Sequence, residues 1–345
     1  MALPKLAIGA LGGTVSMQSR GVGQGVMPSL NGAAMLQQLP ELTALAEVQV
    51  HTLCLMPSAS LSFTQLLEAL KWAKTCIGEG AQGVVLTQGT DTLEETAYFL
   101  DLLWDLDAPL VLTGAMRAAS QYGADGPANL LSAAQVALTA DSHHRGVLVV
   151  MNDQVHAAAR VRKSAALAMD AFTSPPFGPL GVMVEGQVHY CAAPSSRASL
   201  PYPLHVHHQV ALLEATLDAD TGLLDHVIAA GYRGLVVAGF GAGHVSQTWA
   251  HSIANIAARI PVVVASRTGS GHTASHTYGF IGGEMDLQKK GVTMAGGLCP
   301  RKARILLWLL IGSDQQHDRQ RYFGANTSTT GTLPAVAATI GHPFR

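Results

Sequence analysis

Apolar residues along this chain fall into two patterns that take turns. Short unbroken runs such as Leu6–Ala10, Val84-Val85-Leu86, Leu110-Val111-Leu112 and Val147–Val150 have the character of strands buried on both faces. Between them, apolar positions recur at three- and four-residue steps, as at Leu93, Ala97, Leu100 and Trp104, which predicts amphipathic helices. Read in order, the pattern predicts a strand at Leu6, a helix over Ala33–Leu39, a strand over Val48–Leu55 and a helix over Leu66–Cys76. The Val84 strand and its helix follow, then the Leu110 strand, a helix over Asn129–Leu138 and the Val147 strand. Strand and helix alternating in this way predict an α/β fold with a doubly wound, mostly parallel sheet.

A second unit follows a break. The stretch 191–209 is rich in proline and serine and reads as a linker between an N-terminal α/β domain (1–190) and a smaller C-terminal α/β domain (210–323). In the latter, Asp220 is placed to cap a helix running to Ala230, with Gly231 closing it. Strands Leu235–Ala238 and Val262–Ala265 flank a helix near Gln247–Arg259. Pro300 opens a last helix whose run Ile305–Ile311 is too continuously apolar for a surface helix, so burial or an interface is expected. Residues 324–345, rich in threonine, serine and glycine at their start, read as a weakly ordered tail.

Composition narrows the function classes. Of 345 residues 48% are hydrophobic and 13% charged, which provides a large core and hints at surface buried between subunits. A net charge of -2 without a basic block argues against nucleic acid as a partner. Ile305–Ile311 is too short to span a bilayer, and Lys5 leads into a strand-like run rather than a signal peptide, so no membrane association and a cytoplasmic location are expected. Cys54, Cys76, Cys191 and Cys299 form no CxxC and read as free thiols. His205, His207 and His208 lack acidic or cysteine partners at zinc-like spacing, so no metal is expected.

The chemistry-bearing residues gather where strands end. Leu11-Gly12-Gly13-Thr14 lacks the dinucleotide GxGxxG spacing but lets the backbone turn sharply and exposes a hydroxyl beside main-chain N–H groups. The loop Ser19–Gly32 is rich in glycine and serine and reads as a cover over Thr14. Met56–Ser60, Gln88–Thr92 and Thr113–Arg117 end the next three strands, and in an open α/β sheet such turns line one ligand-binding edge. Asp91 or Thr92 is placed to cap the following helix, with Glu94 and Glu95 near its positive end. Thr90 and Asp91 also supply a second hydroxyl and a carboxylate. Lys163 follows the fifth strand: beside Arg160 or Arg162 it would be easily deprotonated and able to act as a base, while the plainer reading is a solvated basic loop.

GGTVS at 12–16, VVLTQGTDTLEETAYFLD at 84–101, PLVLTGAMRAASQYGADGPANL at 109–130 and VLVVMNDQVHAAARVRKSAALAMDAFTSPPFGPLG at 147–181 resemble the bacterial-type L-asparaginases, in that family's order. AGYRGLVVAGFGAGHV at 230–245 and PRKARILL at 300–307 match more loosely. The resemblance implies two α/β domains assembled as a homotetramer, and hydrolysis of asparagine to aspartate and ammonia without a cofactor. On the matching positions the resemblance implies Thr14 as the acylated nucleophile. It implies Thr90 as the second hydroxyl, Lys163 as its base, and Asp91 as completing the triad and meeting the substrate α-ammonium. It further implies Ser58 as holding the α-carboxylate, main-chain groups of Gly89 and Ala115 as lining the pocket, and the amides of Thr14 and Thr90 as the oxyanion hole.

This chain departs from the family pattern in several places. The loop after the Gly12-Gly13 turn has no tyrosine, Ala59 stands where a polar residue often follows Ser58, and Leu11 replaces a threonine. His244 falls on a position that reaches into a neighbouring subunit's site, and Glu284 is the candidate to stand in for a glutamate missing before Tyr278-Gly279-Phe280. The resulting expectation is an asparaginase with glutamine as a secondary substrate. Its rivals are an amidase for another amide and a catalytically silent amino-acid-binding protein.

Overall fold

The computed structural model describes residues 2–13, 17–19, 26–28, 39–195 and 197–325. Most of the expected Ala33–Leu39 helix, most of the Ser19–Gly32 loop and the tail past residue 325 lie outside them.

Strand β1 (Lys5–Ala10) is followed by a short antiparallel pair, β2 (Met17–Ser19) and β3 (Val26–Pro28). Next come β4 (Glu47–Thr52), β5 (Gly83–Thr87), β6 (Leu110–Thr113) and β7 (Val147–Met151), which with β1 form a five-stranded parallel array. At Asn152-Asp153 both φ angles are positive, 51° and 58°, and β8 (Gln154–Ala157) returns antiparallel beside β7. That dipeptide is hairpin chemistry, so the fifth strand ends in a tight reversal rather than a crossover. A two-residue ladder joins β9 (Arg162–Lys163) to β10 (Phe172–Thr173), and β11 (Gly181–Val184) and β12 (Gln187–Tyr190) complete the main sheet. Its order is β12-β11-β8-β7-β6-β5-β1-β4.

Helices cover both faces because strand side chains alternate. Leu6, Ile8, Val85, Val111 and Leu148 pack with α1 (Pro40–Leu45) and α4 (Gly126–Leu138). Ala7, Val84, Leu86, Leu110 and Val149 pack with α2 (Phe63–Gly78) and α3 (Leu93–Leu103). Ser62 and Gln65 form a capping box that starts α2 three residues earlier than the apolar pattern alone suggests.

The second unit is a parallel sheet, β13 (Val210–Glu214), β14 (Gly234–Gly239), β15 (Val262–Ser266) and β16 (Thr293–Met294). Its helices are α5 (Gly222–His226), α6 (Gln247–Ala257), α7 (Glu284–Lys289), α8 (Pro300–Gly312) and α9 (Arg319–Ala325). The α5 helix is shorter than expected: Asp220 Oδ1 accepts the Gly222 amide, but the helix stops at His226 and looser turns carry the chain to Gly231. Helix α8 is packed on one side by β13, β14 and β15 and on the other by α3, which explains its apolar run. Phe63 stacks on Phe99 at 4.9 Å and meets Trp308 at 4.5 Å across that seam. No helix among the described residues is long and apolar enough to cross a membrane.

On β8, His156 is fully buried, with Nδ1 2.9 Å from Ser174 Oγ. Burial, with Lys302 nearby, pushes its pKa down to about 4. Because the folded value lies below the unfolded one, the neutral ring contributes stability above about pH 6.5 that is lost as pH falls through about 4. Denaturant titrations should show His156 contributing roughly 3 kcal/mol to that acid loss. His156→Gln should flatten the slope between those pH values, and an unchanged slope would contradict the assignment.

Candidate active site

The first unit changes winding direction between β1 and β5: the chain leaves β1 for β4 on one side and returns to β5 on the other. The carboxyl ends of strands at such a switch point form a crevice. Here the turns are drawn together closely enough to require glycine. Gly12 and Gly13 have φ of 90° and 89°, and a Cβ on Gly13 would lie 2.0 Å from the Gly89 amide nitrogen. A Cβ on Gly89 would lie 2.8 Å from Ser58 Oγ, and one on Gly114 2.7 Å from the Gln88 carbonyl oxygen. The ends of β1, β4, β5 and β6 therefore meet, bringing Ser58, Gly89, Thr90 and Ala115 to one edge. Thr14 follows directly on Gly13 and lies outside the described residues.

Lys163 reaches the same edge from β9. Its Nζ donates to Thr90 Oγ1 at 2.9 Å and to Asp91 Oδ1 at 2.8 Å. The lysine side chain is 14% exposed and the Asp91 side chain 73%, so the carboxylate faces solvent while the hydroxyl beside it is buried. The cationic surroundings expected for Lys163 are replaced by an anionic partner. Arg162 turns to the Gly269 carbonyl, and Arg160 lies 4.4 Å over the Phe177 ring.

Neither Asp91 nor Thr92 caps α3 through its side chain. Asp91 is engaged by Lys163, and Thr92 Oγ1 donates to the Ser58 carbonyl at 3.0 Å while accepting Gln88 Nε2 at 3.1 Å. Glu94 does more than complement the helix dipole. Buried, it accepts the Lys163 amide on Oε2 at 2.6 Å and Arg301 Nε on Oε1 at 2.7 Å.

The Ala115 turn has its own brace, which periodicity gave no means of finding. Asp125 accepts the amides of Met116 and Arg117, each at 2.9 Å. Asn129 donates to the Gly114 carbonyl at 3.0 Å and accepts the Asn152 amide at 3.0 Å.

His244 and Glu284 sit together in the second unit, Nε2 3.3 Å from Oε2. Glu284 is fully buried and its Oε1 accepts the amides of Thr277 and Tyr278, so its carboxylate fixes the Tyr278 turn within its own chain instead of projecting toward a neighbour. His244 is edge-on to Tyr278 and Phe280.

An α/β unit with helices on both faces of its sheet and a glycine-drawn crevice carrying hydroxyls, a carboxylate and a lysine is suited to a hydrolase. Residues 5–196 match the model of the asparaginase N-terminal family, and residues 209–323 match that of the glutaminase/asparaginase C-terminal domain. The chain is 35% identical to a probable periplasmic L-asparaginase of Haemophilus influenzae, over 90% of this chain and 89% of that one. It is 30% identical to a glutaminase-asparaginase of Pseudomonas fluorescens biotype A, over 84% and 80%. The crystal structure of a probable cytoplasmic L-asparaginase from Campylobacter jejuni superposes with a TM-score of 0.84 at 31% identity, covering 93% of this chain and 99% of that one. This chain belongs to the bacterial-type L-asparaginase family, hydrolases that act on linear amide C–N bonds.

Gly13→Ala is expected to lower thermal stability and amide-hydrolysing activity together, with kcat/KM falling roughly 100-fold or more, because the turn must retreat from Gly89. An unaltered kcat/KM would show that the close approach is dispensable.

Proposed function

We propose that the protein converts L-asparagine to L-aspartate and ammonia through a threonine acyl-enzyme. The observation that carries this reading is the Lys163 Nζ bridging Thr90 Oγ1 and Asp91 Oδ1 at 2.9 and 2.8 Å. At those distances a proton passes between amine and hydroxyl without rearrangement of either chain.

In this reading Thr14 attacks the side-chain carbonyl carbon and its C–O bond forms as the hydroxyl proton is taken up within the site. The tetrahedral oxyanion rests on main-chain amides of Thr14 and Thr90. The C–N bond then breaks as the nitrogen takes over the Thr14 proton and leaves as ammonia, giving the aspartyl ester of Thr14. Water then adds to the ester, its proton passing through Thr90 to Lys163 and on to the Thr14 oxygen as the ester C–O bond breaks, which frees aspartate and restores the Thr14 hydroxyl. Asparagine is a small zwitterion, so its head is fixed first. Exposed Asp91 meets the α-ammonium, and Ser58, with main-chain groups of Gly89 and Ala115, holds the α-carboxylate and lines the pocket. No cofactor is needed for these steps.

One feature favours glutamine as a second substrate: a relative is a glutaminase-asparaginase. Ala59, which leaves the position after Ser58 without a polar side chain, weakens the usual head-group contacts and keeps a related amidase for another amide as the alternative. We further take the catalytic residues to reside in domain 1–190, linked through 191–209 to domain 210–323. A homo-oligomer, dimer or tetramer, would let His244 contribute across a subunit boundary. Four free thiols suit a reducing, cytoplasmic compartment.

Ammonia release measured with asparagine and glutamine side by side should give the higher kcat/KM for asparagine. Thr14→Ala and Lys163→Met should each lower kcat by roughly 1,000-fold or more while the proteins remain folded. Full activity in Thr14→Ala would end the acyl-threonine reading, and aspartate binding without turnover of any amide would favour a silent binding protein.

A further inference from the structure

Lys302, on the first turn of α8, is 3% exposed, and its ammonium donates to the carbonyls of Ala158, Ala159 and Val161 at 2.9, 3.1 and 2.6 Å. All three donors of the ammonium are thereby used. The carbonyls belong to a tight turn after β8, where the amides of Arg160 and Val161 both return to the Ala157 carbonyl at 2.9 Å. Three carbonyl dipoles aimed at one buried point repel one another, and a cation with three donors makes that course of the chain favourable. Burial pulls the Lys302 ammonium below the usual lysine range, while the nearby Cys299 and Glu94 act in the opposite sense.

The next anchor is two residues further along. The Lys163 amide is held by Glu94 Oε2, and Glu94 Oε1 is held by Arg301, the neighbour of Lys302 on α8. On its other side Lys163 pairs with Phe172 in the two-residue ladder of β9 with β10, which the Ser164 amide extends to the Ala171 carbonyl at 2.7 Å. The segment 158–163 is thus pinned at one end by Lys302 directly and at the other by Arg301 through Glu94. Helix α8 is itself wedged between the second sheet and α3, the helix that begins just past Thr90.

We propose that Lys302 and the Arg301–Glu94 pair form a positioning clamp, through which the C-terminal unit sets the distance from Lys163 Nζ to Thr90 Oγ1 without touching the reacting groups. The proposal rests on the reading of Lys163 as the base. The Ala115 turn is braced separately by Asp125 and Asn129, and Ser58 by Thr92. Loosening the clamp therefore disturbs proton transfer more than substrate binding.

The experiment is steady-state ammonia release from asparagine by full-length Lys302→Met and Arg301→Gln, each also made in a Lys163→Ala background. Folding is checked by thermal melting and circular dichroism. In the otherwise native protein, kcat should fall roughly 10- to 100-fold with KM changed by no more than about 3-fold. In the Lys163→Ala background neither change should reduce the residual kcat further, since the group being positioned is gone. Arg301→Lys, which keeps a cation for Glu94, should recover part of the loss. If Lys302→Met does not fold, the Arg301 series decides alone, because that side chain is 38% exposed and contributes less to the core. Native kcat in a folded clamp variant, or a full further loss in the Lys163→Ala background, would overturn the clamp. Native kcat in Lys163→Ala itself would instead overturn the base reading on which the clamp depends.

Discussion

The rest of the site depends on one contact: Lys163 Nζ resting between Thr90 Oγ1 and Asp91 Oδ1, groups more than 70 residues away in the chain. A lysine that is largely buried needs compensation for lost hydration, and the carboxylate together with the hydroxyl provides it. The contact exists only because the sheet stops being parallel after β7. The Asn152-Asp153 reversal sends the chain back along the sheet, and the tight turn after β8 then carries it to the edge where the parallel strands end.

The rest of the crevice follows from how closely backbone can approach backbone. Gly13 against Gly89, Gly89 against Ser58 and Gly114 against Gln88 are contacts that a side chain would hold apart. The site is therefore assembled mostly from main chain, with few side chains, held by buried Glu94 for Lys163 and by half-buried Asp125 and buried Asn129 for the Ala115 turn. On the Lys163 side the same Glu94 also accepts Arg301 of the second unit, so both halves of the chain contribute to holding that edge.

The alternation of strands and helices, the sheet class and the buried nature of α8 were legible from apolar spacing, because both-face burial leaves unbroken runs and one-face burial leaves a helical stripe. The turns were legible as glycine- and hydroxyl-rich strand ends. Three things were not. Thr92 faced equally good local and distant partners, and the distant one, the Ser58 carbonyl, won over capping α3. The route by which Lys163 reaches its partners runs through the tight Asn152-Asp153 reversal, which apolar spacing does not reveal. Glu284 looked free to reach outward because a chain pattern carries no depth, whereas two amides and complete burial hold it inside.

The central claim, that Thr14 is acylated at an edge served by Lys163 and Thr90, is tested most directly by trapping the intermediate. Mixing the protein with asparagine, quenching in acid within the first turnover and mapping the peptides by mass spectrometry should find an aspartyl ester on Thr14, accumulating further in a Lys163→Met variant where water attack is slowed. A substrate-derived adduct on any other residue, or turnover with none on Thr14 under conditions that trap esters, would contradict the account.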